Sequence, residues 1–302
     1  MPQGGSPRLK KERRARLFGF TNSVQAFGDV AAKTEQINII AEGDSWFAYP
    51  PEWLIAGPNS NVMDHILDHL TKKGLVNTLC RPSNGDTAVN MMKGSQYKAL
   101  SKLLKSKGDK VDLYLFSAGG NDIVGEEDLL PLLNPYKDGN TADQCIKKGK
   151  LKEKLDDVID AYEKLLKLRD RLAPDMQIVT HTYDIAKPSK DGAEFLWGVE
   201  ISEPWIYPSL THPTINIPDE LHVDIVRILL GGFATRIKAL ETRSKGFYVE
   251  DTQGTLRIGH NADWLNEIHP TPSGFKRIAK KFYAKIRSLQ LKAGKPNLPA
   301  FS

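Results

Sequence analysis

The chain has 302 residues, of which 40% are hydrophobic and 26% are charged. This composition is ordinary for a globular protein and argues against wholesale disorder. No apolar stretch approaches the ~20 residues needed to cross a bilayer, so we expect no transmembrane anchoring. The length fits one α/β domain that carries insertions.

The formal net charge is +5, and part of it lies in a basic cluster between Arg8 and Arg16. A secretory signal would need an apolar run after this cluster, and the segment that follows has none. We therefore expect a cytoplasmic protein whose residues 1–35 form a flexible basic tail. Because the positive charge is concentrated in that tail, we expect no nucleic-acid partner.

The chain has two cysteines, Cys80 and Cys145, which are too few for a disulfide framework and lack zinc-binding spacing. His65 and His69 are four residues apart, but no acidic or cysteine partner completes a metal site. We predict no metal and no cofactor, and the sequence makes no prediction about pairing of the two cysteines.

Short apolar runs alternate with segments whose apolar residues recur at helical spacing. In chain order the predicted elements are a strand over residues 37–41, a helix over 62–70, a strand over 76–80, a helix over 97–104, a strand over 111–116, a helix over 151–172, a strand over 177–182, a helix over 221–240, a strand over 247–249 and a helix over 275–286. This alternation predicts a mostly parallel sheet covered on both faces, which is a three-layer α/β/α sandwich.

The predicted domain spans residues 36–290, followed by a C-terminal tail over residues 291–302. Two segments interrupt the alternation and are interpreted as insertions, at about 125–150 and 188–218. The second insertion holds Trp197, Trp205 and Tyr207 among prolines. These aromatic side chains either pack in the core or form a rim around a substrate.

Small polar residues follow the first three predicted strands, at residues 43–46, 83–86 and 119–122. Ligands of parallel sheets bind beyond the carboxyl ends of the strands, so these segments are expected to converge on one crevice. A further loop over residues 266–270 presents His269 directly before the last helix. Acyl transfer needs such a set, namely a nucleophile, a base and donors for the oxyanion.

These segments read Gly-Asp-Ser, an isolated Gly85, Gly-Gly-Asn-Asp and a final His-Pro, in that order. In content and order they resemble the SGNH (GDSL-type) hydrolases. The resemblance implies a flavodoxin-like sheet and metal-independent hydrolysis of an ester through an acyl-enzyme. It also implies that Ser45 is the nucleophile, that His269 is the general base, and that the backbone N–H groups of Ser45 and Gly85 and the Asn121 side chain form the oxyanion hole.

Asn266 stands where this family usually has the aspartate that orients the histidine. An amide oxygen can accept the Nδ1 proton of His269, but it cannot offset the charge of an imidazolium. Three alternatives remain open: Asn266 supports His269, Asp263 or Glu267 replaces the missing acid, or Ser45 and His269 act as a dyad. The offset of three residues from His269 favours Asn266.

The sequence therefore predicts a serine ester hydrolase that acts on a small-molecule, lipid or carbohydrate ester. Two alternatives remain. The same residues would serve an acyltransferase that uses a hydroxyl other than water, and an SGNH scaffold can also serve as a non-catalytic binding protein. His181 lies at another predicted strand end and is interpreted as structural. The oligomeric state is not predicted.

Overall fold

The protein is described by a computed structural model that covers residues 19–33, 35–49, 61–71, 73–190, 193–195, 199–202 and 204–301. Its strands are β1 (Ile37–Gly43), β2 (Val76–Cys80), β3 (Leu113–Ser117), β4 (Gln177–His181), β5 (Ala193–Phe195), β6 (Val199–Ser202) and β7 (Phe247–Glu250). Five of them form one parallel sheet in the order β2-β1-β3-β4-β7, and β5 pairs with β6 in a separate antiparallel hairpin.

The helices are α1 (Val24–Ala31), α2 (Ser45–Ala48), α3 (Val62–Thr71), α4 (Ala88–Met91), α5 (Gly94–Lys107), α6 (Gly120–Val124), α7 (Glu126–Leu129), α8 (Lys148–Leu172), α9 (Tyr207–Leu210), α10 (Asp219–Thr242) and α11 (Pro272–Ser288). Helix α3 packs against α11, whereas α8 packs against α5 and α10. These two groups are the outer layers of the sandwich. No helix in the described ranges is long and apolar enough to cross a membrane.

The central strands are apolar because both faces of the sheet are covered. Every residue of β2 and β3 is buried, and the large side chains of Ile39, Tyr114 and Phe247 are almost fully enclosed. The three-layer fold predicted from the alternation of elements is confirmed, and the strand order is the flavodoxin-like one. All five predicted strands and all five predicted helices are present.

The N-terminal segment differs in part from expectation. Residues 1–35 were expected to form a flexible tail, but α1 lies within them, its N-cap Ser23 accepts from the Ala26 N–H, and Phe27 is fully buried. Phe27 lies on the buried face of this helix. The helix is too short for a periodic pattern of apolar residues to reveal it in the sequence. The basic cluster at residues 8–16 lies outside the described residues. The C-terminal segment also packs on the domain, because Phe301 contacts Tyr283 of α11.

The two insertions contain short elements of their own. Residues 125–150 hold α7, a 3₁₀ turn and an isolated bridge between Leu133 and Ile146. Residues 188–218 hold the β5–β6 hairpin and α9. The cysteines Cys80 and Cys145 are both buried and free.

Candidate active site

Ser45 is the first residue of α2, at the point where β1 ends. Gly43 has φ 154°, and a Cβ there would lie 2.4 Å from the carbonyl oxygen of Ser117, so this close approach of β1 to β3 requires glycine. Asp44 then caps α2 by accepting from the Trp46 N–H at 3.0 Å. The tight strand-to-helix turn sets the Ser45 side chain at the carboxyl edge of the sheet, where it is buried.

A buried polar network includes Asp44, the residue directly before Ser45. Ser117 Oγ donates to Asp44 Oδ1 at 2.7 Å, Tyr183 donates its hydroxyl to Asp44 Oδ2, and His181 Nε2 lies 2.9 Å from Ser117 Oγ. Burial raises the pKa of Asp44 to about 7 and lowers the pKa of His181 to about 4. Sequence reasoning treated His181 as structural and gave Asp44 no role. Their positions at two strand ends were the signal that could have linked them.

The segment around Gly85 and the start of α6 are joined to each other and to β1. The Ser83 N–H donates to the carbonyl of Gly43 at 2.8 Å, and the Asn121 Nδ2 donates to the carbonyl of Asp86 at 3.0 Å. Gly85 has φ 82°, in the left-handed region that favours glycine. Gly85, on a turn, and Asn121, in the first turn of α6, thus lie in two connected segments at the same edge of the sheet.

The carboxylate of Asp122 fixes the same two segments. It accepts from the N–H groups of Ala88 at 2.7 Å and Val89 at 3.1 Å, at the start of α4. Burial raises the pKa of Asp122 to about 6. Asp122 therefore has a structural task, and the neighbouring Asn121 is held by the turn that Asp122 anchors.

His269 lies on the loop before α11 and contacts the segment that carries Ser45. The ring of Tyr49, four residues after Ser45, stacks on the imidazole with centroids 4.2 Å apart, and the Trp46 Nε1 donates to the carbonyl of Ile268 at 3.2 Å. His269 is 5% exposed, and burial lowers its pKa to about 3, so it is neutral near pH 7. Its Nε2 has no hydrogen-bond partner among the described residues. The Ser45 hydroxyl is thus not hydrogen-bonded to His269 Nε2 in this structure.

Asn266 is the residue that contacts Nδ1 of His269. The distance between Asn266 Nδ2 and His269 Nδ1 is 3.1 Å. Its Oδ1 accepts from the N–H groups of Ile268 at 3.0 Å and His269 at 2.7 Å. The sequence led us to expect that the amide oxygen would face Nδ1, whereas the nitrogen faces it.

Asp263 forms ion pairs with two arginines and does not support His269. Its carboxylate is bound by Arg257, with an Nη2–Oδ1 distance of 3.1 Å, and by Arg277. The hydrogen bond from Arg257 holds the pKa of Asp263 well below its usual range. This cluster ties the start of α11 to the preceding loop.

Glu267 points into the second insertion. Its carboxylate accepts from the backbone N–H groups of Trp205, Ile206, Tyr207 and Ser189. It is 3% exposed, and burial raises its pKa. Glu267, which lies between Asn266 and His269 in the sequence, therefore anchors the second insertion.

The predicted rim residues are partly described. Trp205 and Tyr207 are half-buried, and the Tyr207 ring meets the buried His222 edge-on at 5.4 Å. Trp197 lies outside the described residues. Among the described residues, no group of three or more His, Cys, Asp or Glu side chains is arranged to hold a metal ion.

The chain is similar in fold to a solved lipase, and two further ester hydrolases match with lower scores. The lipase Lip_vut3 from a goat rumen metagenome matches with a TM-score of 0.50 and 15% identity, over 82% of this chain and 97% of the lipase. A family 3 carbohydrate esterase from Clostridium thermocellum matches with a TM-score of 0.47 and 13% identity, over 82% of this chain and 94% of that chain. An extracellular lipase from Streptomyces rimosus matches with a TM-score of 0.46 and 16% identity, over 83% of this chain and 97% of that lipase.

The first of these likenesses shows a shared fold and nothing about chemistry. Together with the strand order, it confirms the three-layer α/β/α fold with a flavodoxin-like sheet that the sequence predicted. No protein-family model matches the chain, and no curated protein matches it.

Proposed function

We propose that the protein is a serine ester hydrolase in which Ser45 is acylated. One observation carries the proposal: the loop of His269 is joined directly to the segment of Ser45, through the Trp46 Nε1 donor to Ile268 and the Tyr49 ring on His269. The sequence separation of these contacts exceeds 200 residues.

In the proposed reaction, Ser45 Oγ attacks the carbonyl carbon of the ester while His269 Nε2 takes the hydroxyl proton. The tetrahedral intermediate collapses, the bond to the alcohol oxygen breaks, and His269 returns the proton to the leaving alcohol. Water then attacks the acyl-enzyme with His269 again as base, which releases the acid and restores Ser45.

Three donors are proposed for the oxyanion. The Ser45 N–H lies in the first turn of α2, where N–H groups have no acceptor within the helix. The Gly85 N–H belongs to an exposed turn, and Ser83 of the same segment donates its N–H to the carbonyl of Gly43 at 2.8 Å. The Asn121 amide has two hydrogens, and its bond to the carbonyl of Asp86 uses one of them, which leaves the other for substrate.

The Trp205 segment is proposed as part of the substrate rim. Its support is the carboxylate of Glu267, which binds the N–H groups of Trp205 and Tyr207 from a position two residues before His269. An aromatic segment held so close to the proposed base would contact the acyl or alcohol group of an ester. Lipid and carbohydrate esters are the proposed substrate classes.

A second candidate, a non-catalytic binding protein, is favoured by one observation. The amide nitrogen of Asn266 faces His269 Nδ1, where a serine hydrolase uses an acceptor. The full chain should therefore be assayed with p-nitrophenyl acetate beside Ser45→Ala and His269→Ala. Hydrolysis that both substitutions abolish, without loss of folding, supports the esterase; equal hydrolysis by wild type and Ser45→Ala would overturn it. A product ester formed when an alcohol is added would identify acyl transfer.

A further inference from the structure

The orientation of the Asn266 side chain is fixed by its own loop. The N–H groups of Ile268 and His269 both point at one amide atom, at 3.0 and 2.7 Å. A backbone N–H needs an acceptor, and a side-chain NH₂ group cannot accept. This atom is therefore the oxygen, and the nitrogen must occupy the other position, 3.1 Å from His269 Nδ1.

The nitrogen of Asn266 dictates which imidazole nitrogen carries the hydrogen. An NH₂ group donates, so His269 Nδ1 must offer a lone pair. A neutral imidazole has one hydrogen, which then belongs to Nε2. His269 is neutral here because its buried site disfavours the imidazolium.

We propose that Asn266 holds the resting His269 as the Nε2–H tautomer, which cannot accept the proton of Ser45, and thereby limits the rate of acylation. Asn266 is in this sense a positioning residue that acts through His269. The kinetic part of this inference rests on the proposed function, whereas the tautomer does not.

Two arguments indicate that Asn266 slows acylation by a large factor. To become a base, His269 needs a hydrogen on Nδ1, and the Asn266 amide must then turn its oxygen to Nδ1. The turned NH₂ group would face the two backbone N–H groups that the oxygen now serves, and both bonds would be lost. In a serine protease, the aspartate-to-asparagine change that imposes the wrong tautomer lowers kcat by about 10⁴-fold.

No other carboxylate takes over in the described part of the chain. Asp263 is occupied by Arg257 and Arg277, and Glu267 by backbone N–H groups of the second insertion. Asn266→Asp would satisfy every partner at once, since one oxygen keeps the two backbone donors and the other accepts from Nδ1. We expect this variant to raise kcat by about 10²-fold or more.

The direct test is a long-range ¹H–¹⁵N correlation spectrum of the ¹⁵N-labelled full chain near pH 7, which distinguishes the two histidine tautomers. His222 serves as an internal reference. Its Nε2 lies 2.9 Å from the carbonyl of Ile217. A carbonyl only accepts, so His222 carries a hydrogen on Nε2. The signals of His269 are assigned by their loss in His269→Gln.

The expected result is an Nε2–H signal for His269 in the wild type and an Nδ1–H signal in Asn266→Asp, with the rise in kcat measured on p-nitrophenyl acetate. Asn297→Asp is the matched control, because it introduces the same negative charge at an exposed position far from His269. Asn297 is two residues from Lys295, which contacts Asp112 at the opposite end of the sheet. We expect the control to leave both the tautomer and kcat unchanged.

Each failure has a separate meaning. An Nδ1–H signal for His269 in the wild type would overturn the proposed tautomer whatever the activity. If the wild type has a measurable kcat, and Asn266→Asp switches the tautomer without raising that kcat, the proposal that Asn266 limits the rate of acylation is overturned. A switched tautomer with no hydrolysis in either protein, and no reaction of Ser45 with an acylating probe, would overturn the proposed function and leave the tautomer assignment standing.

Discussion

The ring of Tyr49 stacks on the imidazole of His269, with ring centroids 4.2 Å apart and planes inclined by 24°. Tyr49 is the C-cap of α2, and its N–H donates to the carbonyl of Ser45 at 2.7 Å. One residue therefore connects the segment of the proposed nucleophile to the face of the proposed base.

Tyr49→Ala should lower kcat by about 2- to 10-fold, the rate equivalent of the ~0.5 to 1.5 kcal/mol that aromatic pairs contribute. It should also raise the pKa of His269 towards its ordinary value, because the ring no longer shields the imidazole from water. Tyr49→Phe keeps the ring and is the matched control. Steady-state kinetics of the three proteins would contradict the role of the ring if Tyr49→Ala matched Tyr49→Phe.

Asn121→Ala should reduce kcat by about 10²- to 10³-fold with little change in KM, because an oxyanion donor acts mainly in the transition state. The control is Asn134→Ala, another side-chain amide that donates to a backbone carbonyl, at 3.0 Å from Gln144. Kinetics with p-nitrophenyl acetate distinguish the roles. A change confined to KM, or an equal effect in both variants, would remove Asn121 from the oxyanion hole.

In a plot of kcat/KM against pH, the fall on the acid side should lie far below pH 6.5 in the wild type. In Asn266→Asp this fall should occur at higher pH. Burial lowers the pKa of His269 to about 3, so the base stays neutral as the pH falls. A carboxylate beside Nδ1 stabilises the imidazolium, which raises that pKa. A pH profile of both proteins checks the shift.

A fall of kcat/KM near pH 7 that both proteins share would instead report the titration of Asp44. Burial raises the pKa of Asp44 to about 7. The prediction concerns the difference between the two profiles. Identical profiles would contradict the assignment of His269 as the group that titrates.

Glu267→Gln should lower the melting temperature by several degrees, yet reduce kcat by less than about tenfold. The neutral amide leaves one pair of backbone N–H donors without an acceptor, at a cost of about 1 to 3 kcal/mol for each buried group. Glu126→Gln, at an exposed position in α7, is the matched control and should leave the melting temperature unchanged. Loss of kcat by ~10³-fold or more at a temperature where Glu267→Gln is folded would mark Glu267 as the missing acid of the site.

Much of the fold followed from the sequence because its signals are local. The strand over residues 37–41 is a short apolar run, and α8 repeats apolar residues at helical spacing over 25 residues. Helix α1 was missed because it has only 8 residues and its main anchor is a single aromatic side chain, Phe27. Its stability comes from packing against the domain, which periodicity does not record.

The candidate site was predictable only as a set of segments. The order of the segments around Ser45, Gly85, Asn121 and His269 was readable because each follows a strand or precedes the last helix. The orientation of the Asn266 amide was not, since it depends on two backbone N–H groups in a tight loop. The partners of Glu267 are likewise about 60 to 80 residues distant in the chain, and no spacing rule connects them.

The most direct test of the proposed function is covalent labelling by a fluorophosphonate, read by mass spectrometry of the peptide that contains Ser45. The probe reacts with an activated serine and needs no knowledge of the substrate. We expect labelling at Ser45 in the wild type, faster labelling in Asn266→Asp, and none at this position in Ser45→Ala. A wild type and an Asn266→Asp variant that both stay unlabelled while folded, or a label on another residue, would contradict the assignment of Ser45 as a nucleophile.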